Sequence, residues 1–366
     1  MAAPEASTPA AEESRSPVLF AVLGVLAVLV LSWVARWLST GVPKWTKGTG
    51  LEGIGAAVEF PIYAIALGLL GNAVLSVTGL RDRLSGGFRT EFFIKTGLVL
   101  LGASINLAVI VRAAGPAIAQ SIVLISVVFG FSWWLGGKLG LDEKLRALLS
   151  AAVAICGVSA AIAAAGAVQA RREQLAYSAS LVIVFALPSI FVLPLAATWL
   201  GLTPEVAGAW IGGNIDTTAA VTAAGSLAGE ESLKYATIVK VTQNALLGVV
   251  AVALTAYFAL KVEKRSTTVS AGRQLWQRFP KFVLGFLATS IVATIYSEQV
   301  SAATSKAAIG VVNDLRTWFL ILAFVSIGLE FRAGALKQAG WRPVGVFAAA
   351  TAVNLVAALG LALLLF

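Results

Sequence analysis

Apolar runs of about 20 residues recur along this chain almost from end to end, the length a helix needs to cross a bilayer. In lipid the backbone must satisfy its own hydrogen bonds, so only helices and closed barrels cross it. A barrel would show short alternating segments, and none is present. The expected fold is therefore an all-α polytopic membrane protein. Eleven spans are legible, near 17–38, 55–77, 92–111, 115–137, 145–168, 174–199, 205–228, 233–258, 280–297, 313–332 and 343–366. Residues 1–16 are small and polar and read as a disordered tail, and 17–366 form one membrane domain. A cleaved leader is disfavoured, because Glu5, Glu12 and Glu13 precede the first run with only Arg15 basic.

The net charge of +9 lies in short loops. This placement speaks for topology and anionic lipid, and against nucleic acid as a partner. With eleven crossings, seventeen Lys and Arg fall on the N-terminal side and nine opposite, with Lys240 inside a span. The N-terminus is then cytoplasmic and the C-terminus periplasmic or external. The chain has no His and one Cys, Cys156. That removes His-based acid–base catalysis, an internal disulfide and ordinary zinc or haem ligation. No metal, cofactor or enzymatic activity is expected. There is no Walker-type loop for ATP drive.

With the first span set aside, ten spans divide into two sets of five, 55–199 and 205–366. An odd-numbered repeat inserts in opposite orientations, the plan of many secondary transporters. Span order equates the fifth and tenth spans, interrupted at Cys156-Gly-Val-Ser and Ser326-Ile-Gly-Leu-Glu330. A second echo pairs Ser159-Ala-Ala-Ile-Ala-Ala-Ala-Gly166 with Thr218-Ala-Ala-Val-Thr-Ala-Ala-Gly225. Small residues of this kind let helices approach closely.

The stretch Ile211–Gly225 is a poor membrane helix. Asp216 alone costs about 2.5–3.5 kcal/mol at mid-bilayer, against about 0.3–0.6 gained per aliphatic side chain. Gly212-Gly213 invites a break that would expose backbone N–H groups beside Asn214, Asp216, Thr217 and Thr218. The plainer reading makes Asp216 the N-cap of a helix over 217–227. Lys240, Gln243 and Asn244 share one helix face. Lys240 either pairs with Asp216 or Glu59 and meets substrate, or snorkels to the interface. Glu59, before Pro61, is a candidate proton carrier or an interfacial carboxylate. Cys156 reads as a small core residue, and Ser159 opens an Ala- and Gly-rich helix able to present N–H groups. Asn72, Lys95, Ser104, Asn106, Glu330 and Asn354 rank lower. The tryptophans, Trp210 among them, fit an interfacial belt.

At Thr90–Gly102, Ile155–Ala161, Gly213–Gly225, Ala236–Asn244 and Leu322–Glu330 the chain resembles the YeiH-type sulfate exporter family of bacterial inner-membrane proteins. The resemblance covers about residues 50–366. It implies a secondary transporter that exports a small anion, such as sulfate, sulfite or an organosulfonate, and that forms a homodimer. Two departures stand out. Asp216-Thr217 replace a His-Glu pair common in that family, and Gln243 replaces an Arg. The substrate site expected is Ser159, Gly213, Asn214, Asp216, Thr217, Thr218, Lys240 and Asn244, with Glu59 or Asp216 taking a proton. The alternatives are a monovalent cation/proton antiporter built on Asp216 and Lys240, and a membrane scaffold that transports nothing.

Overall fold

The computed structural model describes residues 17–49, 60–258, 276, 279–331 and 340–366. Among them every regular element is helical. The helices are α1 (Pro17–Thr46), α2 (Phe60–Val77), α3 (Arg81–Leu84), α4 (Thr90–Gly102), α5 (Leu107–Lys138), α6 (Glu143–Ala154), α7 (Val158–Val168), α8 (Arg172–Trp199), α9 (Pro204–Asn214), α10 (Thr218–Ala228), α11 (Glu230–Ala245), α12 (Leu247–Tyr257), α13 (Phe282–Gln299), α14 (Ala302–Glu330) and α15 (Trp341–Leu365). Eight stretches among the described residues are long and apolar enough to cross a membrane. They are α1, α2, α5, α8, α11 with α12, α13, α14 and α15.

Two compact bodies divide the chain. The smaller holds the described residues up to Thr90 together with Phe324–Glu330. Its helices touch through glycine. An added Cβ on Gly68 would lie 2.9 Å from Gly328 Cα, and one on Gly24 would lie 3.0 Å from Gly87 Cα. Asn72 packs inside this body and donates to Gly328 O (3.1 Å). Pro61 falls in the first turn of α2, where its missing N–H has no helical partner to lose.

The larger body, Glu91–Ala323 with Phe331–Phe366, contains two expected spans that do not cross as single helices. Span 145–168 breaks at Ile155–Gly157, and span 205–228 breaks at Ile215–Thr217. Each piece has 11 or 12 residues, a rise of about 17 Å, roughly half of a hydrocarbon core.

Both broken segments turn back on themselves. In the first, Lys144 Nζ at the start of α6 reaches Gln169 O just past the end of α7 (3.1 Å). Gln174 Nε2 at the start of α8 reaches Asp142 Oδ1 (2.7 Å). The two ends of α6–α7 are therefore side by side. In the second, Gly208 faces Tyr235 and Gly212 faces Ala236 and Val239, so α9 runs parallel to α11. Gly225 faces Leu233 while Thr218 is bonded to Asn244, so α10 runs antiparallel to α11. The pieces α9 and α10 thus form a hairpin as well.

The helix α8, 28 residues and about 42 Å long, joins the open end of one hairpin to the open end of the other. The hairpins consequently enter from opposite ends of α8. Their tips meet midway. An added Cβ on Gly157 would lie 2.6 Å from Val182 Cγ1, near the centre of α8, and 3.0 Å from Thr217 Cγ2. Asn354, at the centre of α15, bonds the second tip.

Other expectations shift. The interruption expected at Ser326–Glu330 is absent, because α14 runs unbroken from Ala302 to Glu330. The equivalent interruptions lie in the fifth and seventh segments instead. Span 92–111 ends early: the chain leaves α4 at Gly102, and Asn106 caps α5 by accepting from Ala108 N (2.8 Å).

Candidate functional site

The two hairpin tips bring together four helix ends. α6 and α9 arrive by their C-termini, with carbonyls that lack helical partners. Neighbouring spans supply donors. Lys240 Nζ of α11 donates to Ile155 O (2.9 Å), and Gln243 Nε2 donates to Ala154 O (2.9 Å). Lys240 also donates to Gln243 Oε1. On the other hairpin, Asn354 Nδ2 donates to Asn214 O (3.0 Å), and Gln120 Nε2 donates to Ala209 O (2.9 Å). Lys240, Gln243 and Asn354 thereby occupy the negative ends of these half-helix dipoles from within the protein, while Gln120 braces the middle of α9.

The N-termini of α7 and α10 are treated differently. Gly157 ends its turn at φ +63° and ψ −120°, a backbone that a Cβ disfavours, and leaves α7 without a side-chain cap. The first helical bond runs from Ala161 N to Gly157 O, so the amides of Val158, Ser159 and Ala160 stand ahead of the ladder. Thr217 caps α10 by accepting from Ala220 N (3.1 Å), and the amides of Thr218 and Ala219 stand ahead of that ladder. The interior around these turns is buried, yet Ser159 is exposed and Thr217, Thr218 and Ala219 are half-buried. Two positive helix ends with hydroxyls beside them therefore come together where the tips meet.

Several sequence expectations are corrected here. Asp216 is not the N-cap of α10; Thr217 takes that role. Gly212-Gly213 do not form the break. Both lie inside α9, where Gly212 lets the helix approach Ala236 and Gly213 lets it approach Gln120 and Leu124. Lys240 neither snorkels nor forms an ion pair with Asp216 within 4.0 Å, and it is 1% exposed. Glu59, the other proposed partner and proton carrier, lies outside the described residues. Trp210 leaves the interfacial belt: it is buried and donates Nε1–H to Leu355 O (3.0 Å).

Of the expected set, the tips gather Ser159, Asn214, Asp216, Thr217, Thr218, Lys240 and Asn244, while Gly213 serves packing. Asn244 Nδ2 donates to Thr218 Oγ1 (3.0 Å), and Asn244 Oδ1 has no partner among the described residues. Asp216 is buried, and Lys240 acts on it electrostatically. Cys156 is buried and free at the first tip. Lys95 is an exposed partner of Glu91 (2.6 Å), and Ser104 bonds Asn313 away from the tips. Sequence spacing does not single out Gln120 and places Asn354 low; both support α9. The signal was a lone amide inside an apolar span. Among the described residues no group of His, Cys, Asp or Glu is suited to a metal ion.

The family profile described as "Conserved hypothetical protein 698" matches residues 19–347. A UPF0324 membrane protein of Rhodopirellula baltica is 38% identical over 317 residues, 84% of this chain and 58% of the relative. One from Nitratidesulfovibrio vulgaris is 35% identical over 358 residues, 95% of this chain and 59% of the relative. Another, from Pseudomonas aeruginosa, is 28% identical and covers 88% of both chains. The chain thus spans a little under three fifths of the length of the first two relatives. No solved structure matches. Matched over nearly its whole membrane region, the chain belongs to the family described as conserved hypothetical protein 698, the UPF0324 membrane proteins.

Proposed function

We propose that this chain is a secondary transporter for a small anion, working by alternating access around the two hairpin tips. The observation that carries the reading is the meeting of the α7 and α10 N-termini, with Ser159, Thr217 and Thr218 open beside them. Opposed N-termini of broken helices suit an anionic group, because amides and dipoles hold it without a full opposing charge. In this reading Ser159, Thr217, Thr218 and Asn244 contact the substrate. Asn214 and Asp216 flank it, and Asp216 takes a proton during the cycle.

The inverted relation we propose is local, hairpin against hairpin across α8, with Ser159–Gly166 answering Thr218–Gly225. The order of elements does not carry five-and-five sets, since the hairpins are the fourth and sixth segments after α1. Orientation follows from charge. If both hairpins are re-entrant, Arg171 and Arg172 move to the N-terminal side. Only Arg36, Lys44, Lys47, Arg112, Lys234, Lys306 and Arg316 then remain opposite, with Lys240 buried between. This sharpens the basic asymmetry and supports a cytoplasmic N-terminal side of a bacterial inner membrane.

The test is radiolabelled sulfate, sulfite and taurine flux in proteoliposomes, with and without a pH gradient, beside Asp216→Asn. Saturable flux of one of these, quickened by the gradient and insensitive to it in the variant, is expected. A folded protein that moves none of the three overturns the sulfur-anion reading. One observation favours a second reading: Asp216 is a buried carboxylate, as a cation/proton antiporter would require. That reading expects proton flux driven by sodium or potassium and abolished in Asp216→Asn.

A further inference from the structure

We infer that the ammonium of Lys240 fills a monovalent-cation site formed by the first hairpin and α11. The inference rests on the transporter reading only in taking the hairpin tips as the working centre. Where transporter helices break at mid-membrane, C-terminal carbonyls commonly coordinate a coupling cation. Here the C-terminal carbonyl Ile155 O and the amide oxygen Gln243 Oε1 both receive Lys240 Nζ. Lys240 is fully inside the protein, and Asp216 is the carboxylate whose charge acts on it. Further oxygens on the same helix are left unpaired. Thr237 Oγ1, one turn before Lys240, and Asn244 Oδ1, one turn after it, are buried without a partner among the described residues. A carbonyl oxygen at a helix break and an amide oxygen on one buried, tethered cation are the ligand types of a cation site whose ion is part of the chain. Two consequences follow: the protein needs no sodium, and removing the ammonium while leaving room creates a site for a small free cation.

The experiment is thermal unfolding of the purified full chain in choline, lithium, sodium, potassium and methylammonium chlorides at matched ionic strength. The variants are Lys240→Ala, which leaves space, and Lys240→Met, which fills it. The wild-type midpoint is expected to be the same in every salt. Lys240→Ala is expected to rise saturably by about 2 °C or more with at least one small cation, and Lys240→Met is not. A Lys240→Ala protein indifferent to all four small cations overturns the inference. So does a wild type that is itself saturably stabilised by sodium or potassium. If Lys240→Ala aggregates in choline, monodisperse protein obtained only with a small cation present supports the inference, and aggregation in every salt overturns it. The assay uses no anion flux, so it stands or fails separately from the transport reading.

Discussion

Gly157 shows how one residue sets the geometry of the tips. Its backbone at φ +63° and ψ −120° disfavours any Cβ, and a Cβ there would press on Val182 of α8 and Thr217 of the second hairpin. Gly157→Ala therefore combines backbone strain of about 1–3 kcal/mol with a steric push between the tips. A lowered unfolding midpoint with loss of flux is expected, and a wild-type midpoint would contradict it. Asn354 makes a complementary case. Asn354→Leu keeps the branched shape and strands the carbonyl of Asn214, a loss of about 1–3 kcal/mol. Chemical denaturation checks the stability, and limited proteolysis reads whether the turn at Ile215–Thr217 has become accessible.

At the scale of elements, the hairpins hold by close packing rather than by charge. α9 lies against α11 through Gly208 and Gly212, and a Cβ on Gly212 would sit 2.5 Å from Ala236 O. Since that neighbour is backbone, it cannot step aside, and Gly212→Ala is expected to destabilise by about 1–3 kcal/mol while Gly213→Ala meets a movable Gln120 side chain and loses less. Comparing the two unfolding midpoints checks the ranking. This packing role explains a misreading of the sequence. Gly-Gly in a membrane segment signals either a break or a close approach, and periodicity alone does not separate them. The break fell three residues later, where Thr217 could cap a new helix. The positions of the helices, the polar stretch around Asp216 and the face of Lys240, Gln243 and Asn244 were legible, because apolar length and i, i+3, i+4 spacing are local properties. The reversal of direction at each break was not, because an apolar stretch of 24 residues has the same composition whether it crosses or returns. Lys144 with Gln169, and Asn244 with Thr218, are long-range contacts that no local pattern encodes.

Across the larger body the arrangement is two hairpins that start from opposite ends of α8, with tips at the middle of α8 and α15. That arrangement gives a buried charged centre without asking any single helix to carry Asp216 and Lys240 through lipid. The most direct test is the sidedness of the hairpin ends. In a Cys156→Ala background, single cysteines replace Glu143, Glu173, Leu200 and Glu231, and intact and inverted membrane vesicles are labelled with an impermeant maleimide. Labelling of the Glu143 and Glu173 positions from one side, and of the Leu200 and Glu231 positions from the other, is predicted. If Glu143 and Glu173 report opposite sides, the first segment crosses the membrane and the two-hairpin account is wrong.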